Sequence, residues 1–171
     1  MAMDAQPAPG NSPDGRPQRV DRSALHVDFL LGPLRFALPL DAVERVVRAV
    51  AITALPGAPA VILGVVVVGG AILPVADPRL RFGLPPRALA ASDHMVIVGA
   101  RRQRLVLLAD AALGVRDYSG VRIVPSTDIA PTLPAIAGAA HTVDGVVLIQ
   151  DIDHFLDIDE QHALQQALAH A

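Results

Sequence analysis

Apolar residues arrive along this chain in short bursts, and the spacing inside each burst predicts an element. In ALHVDFLLG, Leu25, Val27, Phe29 and Leu31 alternate with His26 and Asp28, the period of two expected of a half-buried strand. RFALPL is its expected partner after a turn at Gly32-Pro33. LDAVERVVR breaks that rhythm: Val43, Val46 and Val47 fall at helical spacing behind Asp41, which predicts a short capped helix. Residues 61–68 and 71–76 are continuous apolar runs around Gly69-Gly70, the pattern of a hairpin of buried strands. HMVIVGA, QRLVLLAD, GVRIVP, IAGAAHTV and GVVLIQD are further β-rich segments, and residues 159–171 form either a helix against the body or a frayed end. Many short strands, 15 prolines and little helix predict an all-β fold of small closed barrels in two lobes, with a few short helices.

The stretch from Ala49 to Ala76 carries no ionisable side chain, long enough to raise a membrane span. Pro56, Pro59 and Pro74, together with Gly57, Gly64, Gly69 and Gly70, make it a poor helix, and four consecutive valines favour strand. Direct membrane insertion is therefore not expected.

Composition narrows the chemistry. The 171 residues include no cysteine and no lysine, since all 14 basic residues are arginine. Disulfide frameworks, thiolate chemistry, Schiff bases and the phosphate-binding lysine of a P-loop are excluded. With 52% hydrophobic residues and a net charge of -3, the chain is too apolar for disorder and too balanced for general nucleic-acid binding. The opening MAMDAQPAPGNSPDGRPQRVDR has no apolar core of a secretory signal and reads as a disordered tail over 1–22.

Three strands end in aspartate, and Asp77, Asp110 and Asp151 are expected to cap whatever turn or helix follows. DIDHFLDIDE gathers acids and His154, but Ile152, Phe155, Leu156 and Ile158 interrupt it in the rhythm of an amphipathic turn, which predicts a solvated short helix and no metal. Arginines crowd 79–104, yet Phe82 alone could serve there as a stacking platform; a charged hairpin tip at 100–104 is expected, and no nucleic acid. The six histidines are scattered, and no HExxH, Gly-x-Ser-x-Gly or GxGxxG occurs. A small-molecule-binding barrel, or a hydrolase whose site assembles only in space, stays open on these grounds.

LPLDAVERVVR, ITALPGAPAVILGV, GGAILPVADPRLRFGL and VDGVVLIQDIDHFL resemble, in order and spacing, the CheW-like family of bacterial chemotaxis coupling proteins. The resemblance implies a domain over 23–158 built as two five-stranded SH3-like barrels, without catalysis or cofactor. It also implies two partners, the cytoplasmic tip of a chemoreceptor and the regulatory domain of a CheA-type histidine kinase, within a flagellar or a pilus-linked pathway. Where the family reads Gly-x-x-Asn-Leu-Arg-Gly, this chain has Gly64 to Gly70, with Val67 at the asparagine and Gly69 at the arginine. Where the family reads Val-x-Glu-Val it has Val43-Glu44-Arg45-Val46. Val43, Arg45, Gly64 and Gly69 are thus the implied receptor-facing positions. The expected function is an adaptor with a diverged receptor motif, the alternative a degenerate paralogue that folds without coupling. Val67 either extends the core or widens an exposed apolar patch.

Overall fold

The computed structural model describes residues 21–101, 103–129, 131–133 and 135–171. The expected tail lies outside the described residues as far as residue 20, and Asp21 already caps a 3-10 turn, Arg22–Ala24, by accepting from the Ser23 amide.

Eleven strands follow among the described residues: β1 Leu25–Leu31, β2 Leu34–Pro39, β3 Val43–Arg48, β4 Ile62–Val68, β5 Ala71–Ala76, β6 His94–Gly99, β7 Arg104–Ala109, β8 Ala111–Asp117, β9 Ile123–Pro125, β10 Ile136–Thr142 and β11 Gly145–Gln150. Three helices are interspersed: α1 Pro78–Arg81, α2 Ser126–Ile129 and α3 Ile158–Ala169. The strands form two sheets, ordered β8-β1-β2-β11-β10-β9 and β3-β6-β7-β5-β4. Two lobes result, one contiguous from β3 to β7, the other assembled from the two flanks of the chain.

The lobes repeat one another. Starting at β3 in one lobe and β8 in the other, corresponding strands take corresponding places, with one parallel pair in each, β5 with β7 and β11 with β2. The register fixes residue equivalences. Ile62 opposes Ala76 and Gly64 opposes Val75; Ile136 opposes Gln150 and Gly138 opposes Ile149. Val75 then pairs with Val106 as Ile149 does with Ala37. Hence Asp77 corresponds to Asp151, and Asp110 to Asp41. Five strands per lobe were expected, and the sixth, β9, has its counterpart in a single bridge, where Thr53 and Val65 exchange hydrogen bonds of 2.9 and 2.8 Å. That bridge brings the chain beyond β3, one edge strand, onto β4, the other edge.

Packing follows from the alternation. Val66, Leu73, Val75, Met95, Ile97, Val106 and Leu108 fill one lobe, and Ala37, Tyr118, Ala140, Val147 and Ile149 fill the other. The largest cluster draws Phe29, Phe36 and Leu38 from one sheet, Val96, Val98 and Leu107 from the other, and Leu164 and Ala167 from α3. Each such fully buried side chain contributes about 1.5–3 kcal/mol, so the interface between lobes is the main core and neither lobe is independent of it. For α3, Asp157 and Glu160 form a reciprocal capping box. Glu160 also meets Arg81 of α1 at 2.5 Å, tying the two helices together.

Four expectations need correction. The helix expected over LDAVERVVR is a 3-10 turn, Leu40–Ala42, followed by strand β3, and Asp41 makes no cap. A register shift between Val43 and Arg45 against β6 makes the valine spacing mimic a helical period. β1 is buried on both faces rather than half-buried: His26 and Asp28 are 6% and 0% exposed, because the lobe closes over them. DIDHFLDIDE is not one helix but a 3-10 turn, Ile152–His154, separated from α3 by the buried Phe155 and Leu156. Asp77 and Asp151 do cap, accepting from the amides of Arg79 and Asp153, but Asp110 lies at the crossover between lobes and accepts from the distant Gly32 amide at 2.6 Å.

Candidate protein interaction surfaces

The β4–β5 hairpin presents the clearest outward apolar surface. Gly69 and Gly70 make its two-residue turn with φ of 56° and 81°, left-handed values that glycine adopts without strain. This turn sets the register Val67 opposite Ile72, and cross-strand partners share a face. Both are exposed, at 67% and 61%, while their neighbours Val66 and Leu73 are buried inside the lobe. The ambiguity at Val67 resolves to the exposed patch. Ile72, its partner there, was not singled out from the sequence, although a two-residue turn at Gly69-Gly70 dictates the pairing.

The four positions that the resemblance implies as receptor-facing lie apart. Val43 is partly buried against the inter-lobe core, whereas Arg45 is exposed and shares the opposite face of β3 with Val47, the register shift separating them. Gly64 is buried at the start of β4 and Gly69 is exposed at its far end. β3 and β4 are opposite edges of the sheet, linked by the Thr53–Val65 bridge.

Between Val43 and Arg45, Glu44 pairs with Arg104 of β7, whose Nε donates at 2.8 and 3.0 Å to the two carboxylate oxygens. That hydrogen bond holds the Glu44 carboxyl below the usual range, slight burial opposes it, and the charges of Arg104 and Arg45 add to it. The pair lies on the rim of a groove of about 650 Å³ between the lobes, walled by Pro39, Ala42, Ile152 and Gln150.

Behind the opposite side of the interface sits an ionic cluster. Arg79, only 5% exposed, reaches Asp77 at 3.4 Å and the Asp110 carboxylate, and Arg87 spans from Asp110 to Asp93, which it meets at 2.7 and 3.1 Å. Burial pushes the Asp93 carboxyl up, but Arg87, the Ala90 amide and the charge of Arg79 bring it below its ordinary value. The arginine-rich stretch is therefore mostly consumed within the fold. Of the charged hairpin tip expected at 100–104, Arg102 lies outside the described residues, and the Ala100 amide donates to the Gln103 carbonyl at 3.0 Å between β6 and β7. Among the described residues no group of three or more histidines and carboxylates is arranged to hold a metal ion, and no helix is long and apolar enough to cross a membrane.

Residues 26–160 match the model of the CheW-like domain, spanning both lobes and the start of α3. The chain belongs to the CheW-like family. It is 29% identical over 140 residues to chemotaxis protein CheW of Rhizobium meliloti, covering 80% of this chain and 90% of that protein. It is 35% identical over 120 residues to protein FrzA of Myxococcus xanthus, covering 70% and 71%. The crystal structure of scaffolding protein TtCheW from Thermoanaerobacter tengcongensis superposes with a TM-score of 0.72 at 27% identity, covering 81% of this chain and 95% of that one. The two β lobes of this CheW-like chain are thus the architecture of a solved scaffolding protein.

Proposed function

We propose that this CheW-like chain is a non-enzymatic adaptor of the cytoplasm, coupling the cytoplasmic tip of a chemoreceptor to the regulatory domain of a CheA-type histidine kinase. The observation that carries this reading is the outward Val67–Ile72 pair on the β4–β5 hairpin of a CheW-like fold: apolar side chains left in water together are favoured where another protein covers them. Arg45 is the exposed receptor-facing position of β3, Val43 backs it from the inter-lobe side, Gly69 is the hairpin tip, and Gly64 fixes the backbone that holds the hairpin.

Two substitutions test two parts of the receptor-facing surface separately. Val67→Asp places a charge in the apolar patch without touching the core, and the affinity for the receptor tip is expected to fall about thirtyfold in calorimetric titration. An unchanged affinity removes the hairpin from that interface. Arg45→Glu restores the acid usual in the family, and receptor-tip affinity is expected to shift by about tenfold, because rim charges select partners. Equal receptor-tip affinity of the Arg45→Glu variant and the unaltered chain removes Arg45 from the interface. Binding to neither partner by the unaltered protein favours a degenerate paralogue.

A further inference from the structure

The internal repeat makes the two sides of the inter-lobe interface comparable, and they differ in one respect. On the first side, Asp77 at the end of β5 and Asp110 at the crossover after β7 converge on one buried guanidinium, that of Arg79. Arg79 stands two residues after Asp77 and donates its amide to that carboxylate at 3.0 Å. On the second side the equivalents are Asp151 and Asp41, and the residue two after Asp151, donating its amide at 3.1 Å, is Asp153. The carboxylates recur, but among the described residues the arginine between them does not. This second side is the groove of about 650 Å³, lined by Asp41, Asp151 and Asp153.

The groove's charges are unevenly matched. Glu44 is paired with Arg104, and Asp153 with the exposed Arg101, at 3.2 Å. Asp151 keeps its second oxygen on the exposed His154 at 2.7 Å, and Asp41, which is exposed, has no hydrogen-bond or ion-pair partner among the described residues. A second, independent sign comes from Gln150, which lines the same groove at 2% exposure with neither amide atom partnered among the described residues. It stands where the other lobe has Ala76, on the face of β11 that Leu148 turns toward the inter-lobe core. A buried carboxamide without partners opposes folding, and such costs are retained where a ligand relieves them.

We infer that this groove is a docking niche for an arginine side chain presented by a protein partner, the guanidinium taking the place between Asp41 and Asp151 that Arg79 takes between Asp110 and Asp77. A guanidinium has five donors in a planar fork, enough to serve both carboxylates and the Gln150 Oε1. A lysine has a single ammonium point and cannot span the carboxylates in the same way. The inference rests on the adaptor reading for the identity of the partner, but not for the niche itself.

The niche is testable without a partner. Acetyl-arginine amide titrated into the full chain is expected to shift the side-chain amide resonances of Gln150 in nitrogen–proton spectra, with affinity about tenfold weaker for Asp41→Asn. Acetyl-citrulline amide, of similar shape but uncharged, is expected to leave them unmoved. Absence of any Gln150 shift with the arginine compound, or equal shifts with citrulline, overturns the proposal. Gln150→Leu provides the second readout: it is expected to raise Tm by roughly 2–4 °C, since the unpartnered amide is gone, while abolishing part of the arginine affinity. A lowered Tm, or an unchanged affinity, means that Gln150 serves the fold alone. Failure of the adaptor reading shows instead as no binding of kinase domain or receptor tip by the unaltered chain, with the arginine titration intact.

Discussion

Replacing Asp28 with alanine is expected to destabilise the fold by about 3–5 kcal/mol, seen as a fall in Tm of roughly 10 °C and a lower urea midpoint at unchanged slope. Asp28 is 0% exposed inside the lobe formed by β1, β2, β8, β10 and β11. Its carboxylate accepts from Arg35 at 2.8 and 3.0 Å and from the Tyr118 hydroxyl at 2.9 Å, with Arg116 at 3.6 Å beyond. Burial, and then the hydrogen bond to Asp28, push the Tyr118 hydroxyl well above its ordinary range, so it stays a donor at any physiological pH. Deleting the carboxylate strands a hydroxyl and most of a guanidinium; Arg35 keeps only Asp144, at 3.4 Å. Burying a charge is costly in itself, which is why removing one member hurts more than the intact network helps. Tyr118→Phe removes one donor and is expected to cost about 1–2 kcal/mol. A loss below that for Asp28→Ala would mean that water enters the lobe to replace it.

The same residue shows where sequence reading stops. Strand periodicity and the Gly69-Gly70 turn are local, so β1, β2 and the β4–β5 hairpin are legible from apolar spacing. Whether the polar side of a strand faces water is not local. His26 and Asp28 alternate as a solvated face would, yet the partners that make their burial tolerable, Arg35 and Tyr118, are 7 and 90 residues from Asp28. Asp110 illustrates the point again, since LVLLAD resembles the other two aspartate-ended strands, and only the crossover to β8 places its carboxylate against Arg79, Arg87 and Gly32. At VERVVR, valine spacing satisfied a helical period, but three β-branched valines favour strand, and the bulge at Glu44 lets them serve both cores. The repeat between lobes is visible in hydrogen-bond register and scarcely in residue identity, so Asp41 reads from the sequence only as a helix cap, and nothing there joins it to Gln150 in one groove.

Gly64→Ala is expected to be nearly as damaging, at about 3 kcal/mol, and in this case the cost falls on the candidate interface. Gly64 has φ of 153°, and a Cβ built there would stand 2.1 Å from the Thr53 carbonyl oxygen and 2.8 Å from the Ile52 side chain. The obstacle is backbone, which cannot swing aside as a flexible side chain would. Relief requires separating residues 52–53 from β4, and that breaks the paired hydrogen bonds of Thr53 and Val65 that bring the two sheet edges together. The amide protons of Thr53 and Val65 should then lose exchange protection before those of β6 and β7, which lie in the middle of the sheet. Gly69→Ala is the matched comparison: its φ of 56° is also left-handed, but nothing lies within 4 Å of the added carbon, so about 1 kcal/mol is expected. Both glycines fall within the stretch proposed to face the receptor, and the contrast separates their roles. If Gly64→Ala weakens kinase-domain and receptor-tip binding together while Gly69→Ala spares the fold, Gly64 acts by holding the hairpin rather than by contact. Equal and small effects of the two would deny the close approach at Thr53 any part in presenting Val67 and Ile72.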